Sequence, residues 1–160
     1  MRLDESLFKE ALKIQNFDYV TDVIKVTDKT IEFFESLNLS QDLIDFFKTF
    51  SFRREIEFGS IYFNCVNTIR VENFEDENKE IYKRDLLIIG SGANGDPIVL
   101  NIKTMSVGYL FHDILWEEEN IEELNKIYID LKMSIGTFFY KSLTEEDFPI
   151  DAYEAEDYIK

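Results

Sequence analysis

Between Leu86 and Phe111 the chain carries three short apolar segments, and the stretches joining them are too short to hold a helix. Leu86-Leu87-Ile88-Ile89 is a continuous apolar run, the pattern of a central strand. Ile98, Leu100 and Ile102 alternate with their neighbours, and Val107, Tyr109 and Phe111 alternate again. Parallel neighbours need crossovers of a dozen or more residues, so these segments can join only as an antiparallel meander. Upstream, Ile56, Phe58 and Ser60 oppose Glu55 and Glu57, and Ile61-Tyr62-Phe63 continues the extended stretch around Gly59.

Helical spacing flanks this region. Leu7, Ala11 and Ile14 mark a short helix within 4–15. Thr27 caps a second, with Ile31, Phe34 and Leu37 along one face and Asn38 closing it. Ser40 caps a third, in which Leu43, Phe46, Phe47 and Phe50 follow the i, i+3, i+4, i+7 template. Ile135, Phe138, Phe139 and Leu143 restore that spacing near the end. Residues 72–80, with five acids and one lysine, read as an exposed loop or short helix, and residues 145–160, with seven acids and one lysine, as a solvated tail. With no internal repeat and no Pro/Ser-rich linker, the expectation is one α+β domain over 1–144, helices at both ends and an antiparallel sheet between, followed by an acidic tail over 145–160.

The charge narrows what such a domain can meet. The 160 residues hold 33 Asp plus Glu against 17 Lys plus Arg, a formal net charge of -16. A phosphate backbone or an anionic membrane surface calls for clustered bases, so neither is an expected partner. Disorder is excluded by 15 Phe, 8 Tyr and 1 Trp, enough aromatic surface to build a core. The opening Met1-Arg2-Leu3-Asp4-Glu5 lacks a basic region followed by an apolar one, and the apolar runs fall far short of a membrane span, so a reduced, cytoplasmic setting is expected. The single cysteine, Cys65, has no basic neighbours to stabilise a thiolate and reads as a small buried thiol.

Gly90-Ser91-Gly92-Ala93-Asn94-Gly95 matches the glycine pattern of dinucleotide-binding loops, which requires a helix to begin there. Asp96-Pro97 and an alternating strand follow instead, so a hairpin using positive φ angles is expected and no cofactor. His112, the only histidine, stands beside Asp113, but without a second His or a Ser or Cys partner it makes neither a metal set nor a nucleophile pair. The acids lack the spacing of a calcium loop, and Glu117-Glu118-Glu119 with Glu122-Glu123 are too bunched for an acid/base pair. They form either a solvated face or a surface for a basic partner, with Trp116 either an apolar anchor among them or packed on the sheet. Residues 113–160 hold 14 acids and 4 bases, so they carry -10 of the -16.

The run from Leu86 to Asn101, an apolar strand, a Gly-Ala-Asn-Gly-Asp turn and a second strand, resembles the SUKH superfamily of Smi/Knr-like proteins. Ser40 to Phe47 resembles that family's early helix with paired aromatics, Met133 to Tyr140 its closing helix, and Val107 to Asp113 its strand ending in His-Asp. Ser40-Gln41 stands where the family has a proline, and Phe52-Arg53-Arg54 where it has glycines. The resemblance implies a curved antiparallel sheet with flanking helices. It also implies a non-enzymatic immunity protein that neutralises a cognate bacterial toxin, often a nuclease. Combined with the acidic excess, it makes a basic toxin the expected partner and Asp113, Trp116, Glu117, Glu118, Glu119, Glu122 and Glu123 the expected contact surface. The same fold also serves as a regulatory or scaffolding module. A third class of reading is a small enzyme using His112 and Asp113 with a ligand near Gly92 to Asp96. Monomer and homodimer both stay open.

Overall fold

The computed structural model describes residues 2–75, 78, 80–117, 123 and 126–160. Six strands, β1 (Ile56–Phe58), β2 (Ile61–Phe63), β3 (Leu86–Ser91), β4 (Pro97–Asn101), β5 (Val107–Leu110) and β6 (Tyr128–Met133), form one open sheet in sequential order, every neighbouring pair antiparallel. The fold is α+β. Helices α1 (Glu5–Ile14), α2 (Asp28–Ser36) and α3 (Gln41–Thr49) precede the sheet, and α6 (Ile135–Thr144) and α7 (Ala152–Tyr158) follow it. Helices α4 (Val66–Phe74) and α5 (His112–Glu117) interrupt it after β2 and β5, a departure from helices confined to the chain ends.

The caps lie where the side chains allow. Thr27, Ser40 and Ser134 each accept a hydrogen bond from the backbone three residues on, satisfying a donor the first helical turn leaves free. Asn38 takes a positive φ of 54° just past α2. The expected continuous stretch around Gly59 is instead the β1–β2 hairpin, with Gly59 at φ 66° as the first turn residue.

Both faces of the sheet are buried, which is why β3 reads as an unbroken apolar run. Leu87, Ile89, Ile98, Leu100, Val107 and Tyr109 face the main core, while Leu86, Ile88, Val99 and Leu110 face a second cluster closed by Ile81, Leu115 and Ile127. Phe8 of α1 anchors the main core, its ring 4.7 Å from Phe50 and within 5.5 Å of Phe46, Phe58, Phe63 and Phe139. Such rings add edge-to-face attraction to roughly 2–3 kcal/mol of burial each.

The segment 145–160 is not a solvated tail. Phe148, Ala152 and Ala155 are buried in the main core, and the buried Tyr109 hydroxyl donates to the Pro149 carbonyl at 2.9 Å. Glu154, Glu156 and Asp157 occupy the outer face of α7, whose inner face packs through Ala152 and Ala155. Among the described residues, no helix is long and apolar enough to cross a membrane.

Candidate functional site

The β3–β4 turn is a hairpin, as its residues suggest, and no helix begins in it. Only Gly95 uses a positive φ, 92°. Gly92 is required for a different reason: a Cβ there would lie 2.5 Å from the Ile150 carbonyl, which accepts from the neighbouring Ala93 N–H at 2.9 Å. Gly92 therefore lets the C-terminal segment seat against the turn.

Asp96, fully buried, closes that turn and joins three elements. One carboxylate oxygen, Oδ1, accepts from the His112 backbone N–H at 2.9 Å and faces His112 Nδ1 at 2.5 Å. The other, Oδ2, accepts from the Ala152 N–H at 2.9 Å and the Asn94 amide at 3.0 Å. Burial opposes the charge, but the His112 and Ala152 N–H groups, with the His112 ring and Asn94, outweigh it and hold the carboxyl below its usual range. The first residues of α5 and α7 are thereby tied to a single carboxylate.

His112 is not on the strand; β5 ends at Leu110 and His112 opens α5. Its side chain is mostly buried, and its second ring nitrogen, Nε2, lies 2.8 Å from Asp113 Oδ1. A neutral ring can donate to one of these carboxylates, and only the imidazolium donates to both. Asp113 also accepts from the Tyr153 hydroxyl of α7 at 3.3 Å, and Tyr153 stacks edge-on against Phe111 at 4.9 Å. Two acidic helices distant in sequence are thus brought together into one face.

Trp116 stands at the edge of this face, 56% exposed, its ring 4.9 Å from His112. It does not pack on the sheet; Leu115 fills that role in the second cluster. Glu117 is exposed beside it. Glu123 is exposed and pairs with Lys126 at 3.1 Å, an exposed contact of little energetic weight. Glu118, Glu119 and Glu122 lie outside the described residues. The sequence reading omits Tyr153 and the α7 acids Glu154, Glu156 and Asp157, which are exposed on the same helix. Asp151 and Glu154 make the start of α7 rigid by reciprocal bonds, Asp151 Oδ1 accepting from the Glu154 N–H and Glu154 Oε2 from the Ile150 N–H.

A second carboxyl has unusual surroundings. Glu72 on α4 accepts from the Asn64 amide, and burial, reinforced by the charges of Glu75 and Glu55, pushes it up to about 7. Cys65, at the N-cap of α4, is half-buried, lines a cleft together with Glu72, and is not the buried thiol expected. Among the described residues, no group of three or more His, Cys, Asp or Glu is placed to hold a metal ion. Comparison with family models, curated proteins and solved structures yields no match.

Proposed function

We propose that this chain is a SUKH-like immunity protein of the cytoplasm that binds a basic, nuclease-type toxin and occludes its active surface without catalysis of its own. The observation that carries this reading is Trp116, more than half exposed, on a helix whose Asp113 and Glu117 are exposed with it and whose Asp113 is bonded by the exposed Tyr153 of α7. An exposed aromatic on the same helix as exposed carboxylates suits lysine and arginine side chains, which gain both charge pairing and stacking on the indole. The Asp96 contacts hold the two helices in place before binding, so little order has to be gained on association. Opposite charge also raises the encounter rate and makes it fall with salt.

The test is affinity for the toxin encoded beside this gene, measured from low to high salt. Binding should weaken with salt, and charge reversal at Asp113 and Glu117 or truncation of Trp116 should weaken it by about tenfold or more. Salt-insensitive binding indifferent to those changes would remove the acidic face from the mechanism. Absence of binding would remove the immunity reading altogether.

A further inference from the structure

Two arginines of this acidic chain, Arg53 and Arg54, lie far from Trp116 in the strand order, beside β1. Arg53 and Arg54 occupy an exposed bend just before that strand, and among the described residues neither has an ion-pair partner in a chain with 33 acids. Three clefts share Arg54. One of about 620 Å³ runs between Gln15 and Phe17 on one side and Arg54, Ile56, Glu57 and Tyr62 on the other. Others of about 360 and 210 Å³ extend toward Thr68 and toward Phe52.

β1 is the terminal strand of the sheet, and its Ile56 and Glu57 line the 620 Å³ cleft. Phe58 and Ile61 flank a two-residue turn and form a hydrogen-bonded pair; by alternation the Glu57 N–H and C=O point away from β2. Such an edge is a template for one more strand. In the cleft wall, the Gln15 side-chain nitrogen is buried without a hydrogen-bond partner.

The charges select the occupant. A second copy of β1 would set Glu57 against Glu57 and bring together two chains of net charge -16. A small anion would meet Glu55 and Glu57 along with Arg54. An extended peptide answers both signs: an antiparallel strand on β1 ends at the strand's N-terminal side, which is where Arg53 and Arg54 stand. We propose that the β1 edge captures the C-terminal segment of a partner protein by strand addition. The peptide main chain pairs with Glu57 and its terminal carboxylate is clamped by the Arg54 guanidinium, with Arg53 beside it.

The test uses the full-length, ¹⁵N-labelled protein and a mixed-sequence pool of N-acetylated pentapeptides, prepared once with a free C-terminal carboxylate and once amidated. The free-acid pool should shift the Glu57 amide and slow its exchange, and amidation or Arg54→Ala should weaken the response about tenfold. Arg54→Lys, keeping charge but not the fork, should fall between. Trp116→Ala should change nothing, which separates this site from the acidic face. No response at Glu57, or equal responses to acid and amide pools, or a response untouched by Arg54→Ala in a protein with a native-like spectrum, overturns the proposal.

Discussion

Asn73 gives both ends of its side-chain amide to Ile88: Nδ2 donates to the Ile88 carbonyl at 3.1 Å and Oδ1 accepts from the Ile88 N–H at 3.0 Å. β2 pairs with β3 at Ser91 and Gly90, and Asn64 N–H reaches Ile89, after which the chain turns into α4. Asn73 then stands in for the missing strand at the next position. Asn73→Ala should cost about 2–4 kcal/mol, because two buried backbone groups lose partners at once. Asn73→Leu should not recover the loss. Urea unfolding midpoints with an unchanged slope check this.

Asp96→Asn puts an NH₂ group among donors whichever way the amide turns, and should cost about 3 kcal/mol or more. The Asp96 carboxyl lies below its ordinary 3.8 in the folded state, so its contribution is complete above that pH and disappears as pH falls through the lower, folded value. The stability gap between wild type and Asp96→Asn should therefore be widest near neutrality and close in acid, as denaturant titrations at several pH values would show.

Glu72 has the opposite sign. Its folded value of about 7 lies above the ordinary 4.5, so the folded chain binds the extra proton and stability falls as pH rises from 4.5 through 7. Glu72→Gln should flatten that decline. Near pH ~4 the variant should match wild type, and near pH ~8 it should exceed it by up to about 3 kcal/mol. A constant difference across that range would contradict the assigned cause.

Trp116 is the only tryptophan, so its fluorescence reports the acidic face directly. Caesium ion should quench it more strongly than iodide, because the surrounding carboxylates concentrate cations and repel anions. The preference should shrink as salt is added and after charge reversal at Asp113 and Glu117.

Ending the chain at Thr144 should do far more than remove surface charge. It exposes the pocket of Phe148, Ala152 and Ala155, deprives the Tyr109 hydroxyl of its acceptor and leaves Asp96 Oδ2 without its donor at Ala152. The truncated chain should bind a hydrophobic dye and lose its cooperative thermal transition, where a solvated tail would have left both unchanged.

The elements legible in sequence are those with one strong local signal. Thr27, Ser40 and the Phe46-Phe47 pair announce α2 and α3, and the glycine-rich turn announces the β3–β4 hairpin. Strand β6 also alternates, with Ile129 and Leu131 buried between Tyr128, Asp130 and Lys132, a signal present but overlooked beside the acidic run. Helix α4 gives no such signal, because the third residue of its buried face after Val66 and Ile69 is the polar Asn73. Its stabilising contact is with a strand fifteen residues away, beyond any local window.

By itself the sequence determined the α+β class, the antiparallel order of the central strands and the concentration of net negative charge after His112. Those follow from periodicity, loop length and charge, which act over a few neighbours or over the whole chain. Only the tertiary structure decided that residues 145–160 pack, that Asp96 binds the starts of α5 and α7, and that Tyr153 completes the face around Asp113. One buried carboxylate must gather donors from wherever the fold brings them, and in this chain they come from residues 94, 112 and 152.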